Sequence, residues 1–361
     1  MRKIPMNWIR VLLINVFIFF SLLVAVEMLA RSVWTINSCI NASCNFTKLS
    51  GIKLTNSVMS SEHIGLSRFD PDLGYVPAEN FDAAIYAKGW NGVRVTINGE
   101  GYRVNGNNNE IASNNNNVRI LSLGDSFTFG DQVSNNETWS ACLENKLDTT
   151  VDNAGVFGYG AAQALKRGMK ITEAKKYSVV ILSVLVGSDF DRDQLVYRSG
   201  FPKPALILED GKIQWSDVPN ANEPGTKYNP SRNETFFYLY KHSFVASLLM
   251  DEYNFDSSGD NLDRRHPKAA EKGQIISWTL NEFSKLNIDR KILLLQYLEY
   301  LRDDGVNTER QLILEQAAKT KLKVIDTYST FVDKEPSLYW KGHHTPLGNQ
   351  VVCDLVSRHL Q

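Results

Sequence analysis

The chain has 361 residues, 43% of them hydrophobic, and a formal net charge of −1. That length holds one large domain or two small ones. The near balance of charge, with no basic run or patch, argues against a nucleic-acid partner.

The first thirty residues differ from the rest. Arg2, Lys3 and Arg10 flank an apolar run from Val11 to Val26 that only Asn15 and Ser21 interrupt. Extended from Trp8 to Ala30, the segment has the length of a membrane-spanning helix. Trp8 and Trp34 would sit at the two interfaces, and the charge bias puts the N-terminus in the cytoplasm and all that follows Trp34 outside. A cleaved signal peptide is the competing reading, but no small-x-small site directly follows Glu27. We therefore expect an anchor over residues 1–34, a Ser- and Asn-rich linker over 35–64, and a main domain over 65–361 that is periplasmic or extracellular. Cys39 and Cys44 flank a short loop beyond the anchor and suit a disulfide in an oxidising compartment. The sequons at Asn41, Asn45, Asn136 and Asn233 matter only in a host that glycosylates asparagine.

Residues 65–117 form a β-rich lead-in. Val93, Val95 and Ile97 alternate, and Asn98-Gly99 is a strong turn signal. Residues 105–117, mostly asparagine and small residues, read as a solvated loop. From Val118 an α/β rhythm sets in. Strands are predicted over Arg119–Leu123, Thr150–Asn153, Val179–Leu185, Lys291–Gln296 and Lys323–Asp326. Helices are predicted over Thr138–Leu147, Ala161–Lys175, Ile275–Leu286, Glu309–Lys319 and Gly348–Leu360. Continuously apolar strands alternating with helices predict a parallel sheet covered on both faces. Residues 190–272 interrupt the rhythm, with a hairpin around Asp210-Gly211 and an apolar helix over Phe236–Met250. Such an insertion over the C-terminal sheet edge is where loops make a substrate pocket.

Four short blocks lie at strand ends. In Gly124-Asp125-Ser126-Phe127, Ser126 follows the first strand, where a hydroxyl is either a nucleophile or a helix cap. Asn153-Ala154-Gly155-Val156-Phe157-Gly158 follows the second, and its glycines either admit backbone N–H groups to a reacting oxygen or form an ordinary turn. Gly187-Ser188-Asp189 ends the third strand, where Ser188 is an oxyanion donor or a cap. Gly342-His343-His344-Thr345-Pro346 precedes the last helix and offers a general base. No HExxH or carboxylate spacing accompanies the two histidines as a metal set would require.

In this order the blocks resemble the SGNH, or GDSL, hydrolase family over roughly residues 65–361. The lead-in Ile97-Asn98-Gly99-Glu100-Gly101-Tyr102-Arg103 is similar to that of membrane-anchored bacterial members. The resemblance implies a three-layer α/β/α sandwich with a flavodoxin-like parallel sheet, behind one N-terminal transmembrane helix. It implies Ser126 as nucleophile and His343 as base. Ser126 and Gly158 N–H groups, with Ser188, would make the oxyanion hole, and no metal or organic cofactor is implied. The implied activity is that of a serine esterase or acyltransferase on O-acyl groups, foremost O-acetyl groups of a cell-envelope polysaccharide. The chain departs from the family pattern twice. Ser188 stands where the family has asparagine, and Trp340 and Lys341 occupy the positions of the usual acid. A backbone carbonyl, Asp333 or Glu335 could orient His343 instead. These departures sustain a rival reading, a degenerate member that binds glycan or supports an envelope assembly complex. The anchor sustains a weaker one, a lipid-directed esterase.

A flavodoxin-like strand order of 2-1-3-4-5 packs the first and last helices side by side. Cys142 and Cys353 lie on those helices, so their Cα atoms are expected within about 7 Å, the limit for a disulfide. Two buried, unpaired thiols are the alternative.

Overall fold

The computed structural model describes residues 6–41, 58–59, 66–85, 89–90, 92–106, 118–198, 201–219 and 263–361. The chain divides into two units. One comprises Met1–Glu62, Ala83–Gly92 and Asn233–Ser257; the other comprises His63–Asp82, Val93–Arg232 and Ser258–Gln361.

In the first unit, one helix runs over Met6–Asn41, and Val58 and Met59 pair in parallel with Ala84 and Ile85. The helix continues past Ala30, where the apolar pattern ends, and its large side chains from Ile14 to Leu29 are exposed. Among the described residues, no helix is long and apolar enough to cross a membrane. The span expected over Trp8–Ala30 is therefore not supported here. Asn15, Ser21 and Glu27 interrupt the apolar side chains described there. Cys44 and the helix expected over Phe236–Met250 lie outside the described residues, as does the side chain of Cys39.

The second unit carries the α/β core. Its sheet has strands β1 (Arg119–Leu123), β2 (Thr150–Asn153), β3 (Val179–Leu185), β4 (Arg290–Gln296) and β5 (Lys323–Asp326), all parallel, in the order 2-1-3-4-5. Every residue of β3, the central strand, is buried, which is why it reads as an apolar run broken only by Ser183 rather than as an alternation. Helices α1 (Trp139–Leu147), α2 (Ala161–Ala174), α3 (Lys272–Lys285), α4 (Asp304–Thr320) and α5 (Pro346–Leu360) connect and follow the strands. Helix α1 packs against α5, while α3 packs against both α2 and α4. Right-handed crossovers place these two groups on opposite sheet faces, the flavodoxin-like three-layer arrangement.

Cys142 on α1 and Cys353 on α5 form a disulfide, with Cα atoms 6.0 Å apart. Within the insertion, Leu206–Glu209 and Lys212–Trp215 pair as an antiparallel hairpin. Asp210 and Gly211 both take positive φ at its tip, as a type I′ turn demands.

Candidate active site

Strand β1 delivers the chain to Gly124 at the C-terminal edge of the sheet. Asp125 then caps a short helix, Ser126–Phe129, accepting from Phe127 N–H at 2.9 Å. Ser126 is the first residue of that turn and is only 5% exposed. Its carbonyl accepts from the N–H groups of Gly130 and Asp131, at 2.9 and 3.0 Å, which fixes the backbone behind the hydroxyl.

The second block lies against this turn because Gly155 has no side chain. A Cβ there would meet Phe129 N at 2.4 Å and Thr128 C at 2.7 Å. Asn153 Nδ2 donates to Thr128 O across the same contact, at 2.8 Å. Gly158 follows beside the hydroxyl of Tyr75, which donates to Phe157 O at 3.0 Å. Strands β2 and β3 flank β1, so the blocks holding Gly158 and Ser188 leave the sheet on either side of Ser126. Ser188 is half-buried and makes no side-chain cap bond to the short helix it precedes, so its hydroxyl is not committed there.

His343 arrives from the far end of the chain. Trp340–Lys341 pairs with His343–His344 across Gly342, whose φ of +84° closes the tight reversal. Thr345 then caps α5, accepting from Gly348 N–H at 3.2 Å, with Pro346 in the first turn. The result places His343 Nε2 2.9 Å from Ser126 Oγ. The other contact open to that hydroxyl, Asp125 Oδ2, is 3.5 Å away, so the histidine is the stronger acceptor. The ring of Phe127 lies 5.2 Å from that of His343 and shields it on one side.

His344 points the other way. Its ring is 2% exposed and packs on Phe331, Trp340 and Phe127 at centroid distances of 5.4, 5.5 and 4.9 Å. Burial pushes its pKa down to about 3, against a weak carbonyl contact from Tyr339, so it remains neutral.

Neither substitute acid reaches His343. Asp333 is 84% exposed and pairs with Arg302 at 2.8 Å. Glu335 is exposed and accepts from Ser337 Oγ at 3.1 Å. The turns around them project both carboxylates into solvent, and His343 Nδ1 makes no hydrogen bond among the described residues. Of the partners expected at that nitrogen, neither the carboxylate of Asp333 or Glu335 nor a backbone carbonyl stands there among the described residues.

Two charged features escaped the reading of the sequence. Asp131 buries its carboxylate completely and holds Oδ2 3.7 Å from His343 Nε2. Beneath Ser126, Arg192 Nη1 donates to Asp125 Oδ2 and Asp189 Oδ1, each at 2.9 Å, and to Tyr159 O at 3.2 Å. Asp189 also accepts from Leu185 N–H at 2.8 Å. Burial, reinforced by the charge of Asp125, holds Asp189 well above the usual carboxylate range despite Arg192. Burial pulls on Arg192 in the opposite sense, but the two carboxylates outweigh it and the guanidinium stays firmly charged. An arginine three residues after the third block was the only available signal for this cluster.

No family model and no curated protein sequence matches the chain. Solved structures do resemble it. A lipolytic protein of the G-D-S-L family from Desulfitobacterium hafniense aligns at 15% identity, covering 67% of this chain and 99% of the other, with a TM-score of 0.38. The lipase/acylhydrolase of Enterococcus faecalis aligns at 15% identity over 67% and 95%, with a TM-score of 0.38. An acetyl xylan esterase from Geobacillus stearothermophilus aligns at 14% identity over 68% and 94%, with a TM-score of 0.38. These are likenesses of fold alone.

Proposed function

We propose that this protein is a serine-dependent esterase or acyltransferase. The observation that carries the reading is the 2.9 Å contact between Ser126 Oγ and His343 Nε2, at the C-terminal edge of a parallel sheet. A hydroxyl in hydrogen-bond contact with an imidazole is an activated nucleophile. His343 Nε2 takes the Ser126 proton as Oγ bonds to the ester carbonyl carbon. The carbonyl oxygen becomes an oxyanion, which receives the N–H groups of Ser126 and Gly158 and the hydroxyl of Ser188. The proton then passes from Nε2 to the leaving alcohol. Water or an acceptor hydroxyl releases the acyl group by the same steps in reverse.

The substrate class we propose is O-acyl, foremost O-acetyl, groups on a cell-envelope polysaccharide. The Cys142–Cys353 disulfide supports an oxidising, non-cytoplasmic compartment for this unit. The exposed apolar side chains from Ile14 to Leu29 support attachment of the N-terminal helix to a membrane. A second reading, a non-enzymatic glycan binder, draws on Trp340 and Lys341 standing where the family has its acid and on His343 Nδ1 having no hydrogen-bond partner among the described residues.

A fluorophosphonate probe separates the two. Labelling of the folded protein that disappears in Ser126→Ala, together with acetate release from an O-acetylated polysaccharide, supports the enzyme. Folded protein that takes no label rejects it in favour of the binder.

A further inference from the structure

The positions of the usual triad acid hold Trp340 and Lys341, and among the described residues no carboxylate reaches His343 Nδ1. A different carboxylate lies on the other side of the ring. We propose that Asp131 is the residue that stabilises the charged form of His343, from the Nε2 side, in the esterase or acyltransferase reading on which this inference rests.

The geometry is specific. Asp131 Oδ2 stands 3.7 Å from Nε2, the same atom that Ser126 Oγ approaches to 2.9 Å, and the Asp131 side chain is fully buried. Nucleophile and acid share one short segment. Asp131 N–H donates to Ser126 O at 3.0 Å, so the two move together. Arg103 holds that segment from behind, donating to Phe129 O, Gly130 O and Val133 O at 3.2, 2.8 and 2.7 Å. Its buried guanidinium is held up electrostatically by Asp131 and Glu137, although burial pulls it down to about 10.

The chemistry follows from which state carries charge. With Nε2 accepting from Ser126, the ring is neutral and Asp131 gains little from it. When the Ser126 proton moves to Nε2, the ring becomes an imidazolium with Nε2–H facing a carboxylate at ion-pair distance. Attraction that grows only as the reaction proceeds lowers the barrier. Asp131 takes no proton. The proton remains on Nε2 until it is passed to the leaving oxygen, and it is not diverted because Oδ2 is farther away than Oγ. Asp131 is thus a positioning residue that acts through His343.

The test uses the full-length protein and an aryl acetate. In Asp131→Asn, kcat is expected to fall about 10²-fold with KM within about threefold, and the rate of fluorophosphonate labelling to fall in parallel. Asp131→Glu should recover part of the loss and Asp131→Ser should not, because the effect follows charge rather than volume. In a His343→Ala background, Asp131→Asn should cost nothing further. Asp131→Asn within about twofold of wild type overturns the proposal. So does equal damage with and without His343, or loss in Asp131→Glu equal to that in Asp131→Ser at unchanged melting temperature. If Asp131→Asn fails to fold, the Glu and Ser variants decide by the same comparison. A wild-type protein that neither labels nor hydrolyses rejects the esterase reading itself, and this proposal falls with it. That outcome is distinct from active wild type with an indifferent Asp131.

Discussion

Cys142 and Cys353 lie 211 positions apart in sequence and are covalently joined, tying the helix that follows the Ser126 turn to the helix that begins just after His343. The bond therefore fixes the two chain segments that supply the hydroxyl and the imidazole. Closing so long a loop restricts the unfolded chain, an effect typically worth about 2–5 kcal/mol. Reduction, or Cys142→Ala with Cys353→Ala, should lower the melting temperature by about 5–15 °C. The double variant should be insensitive to reductant. Equal melting of reduced and oxidised protein would show that helix packing alone holds the two segments.

The buried imidazole of His344 makes a pH-dependent contribution with a definite sign. Its folded pKa, about 3, lies below the ordinary value of about 6.5. Above about pH 6.5 both folded and unfolded states are neutral there, and the full stability is present. As pH falls, the unfolded chain takes up the proton first, and stability is lost progressively down to about pH 3. Denaturant unfolding at pH 7.5 and 4.5 should show wild type losing about 2–3 kcal/mol more than His344→Phe over that interval. Parallel losses would mean that the ring is protonated without strain.

Arg192 neutralises two carboxylates under the nucleophile. Removing one partner from a buried ionic cluster strands the others, at a cost of about 3–5 kcal/mol. Arg192→Met should therefore destabilise strongly, and adding Asp189→Asn should restore part of the loss. Activity should fall as well, because Asp125 caps the turn that carries Ser126. A melting temperature unchanged in Arg192→Met would contradict this account.

Ser188 offers a gain-of-function test. The asparagine found at this position in the resembled family reaches farther than a serine hydroxyl. Loss of one oxyanion donor costs on the order of 10²–10³ in rate, so restoring it has room to act. Ser188→Asn is expected to raise kcat on an aryl acetate about tenfold, with KM little changed. A fall in kcat would show that the site is shaped around serine.

The sheet was legible because Arg119–Leu123, Val179–Leu185 and Arg290–Gln296 are largely apolar runs and turn blocks follow the first three strands, a pattern that survives without tertiary knowledge. The approach of Ser126 to His343 followed from the ordered blocks and the resemblance they carry. The fate of the carboxylates did not. Asp333 and Glu335 lie near His343 in sequence, yet local turns send both to solvent. Asp131 follows a glycine and reads as a loop acid. Its burial arises from Arg103 wrapping the adjacent carbonyls and from His343, which arrives only near the end of the chain. Arg192 likewise acquires its role only when β1 and β3 become neighbours.

The hairpin that bears His343 and His344 has one further consequence. Successive side chains on a strand face opposite ways, so the two histidines differ in fate solely through register. That alternation sends one imidazole toward Ser126 and the other into the aromatic nest. The short ladder from Trp340 to His344 thus acts as a reading frame for catalysis. A substitution at either histidine alone leaves that frame intact.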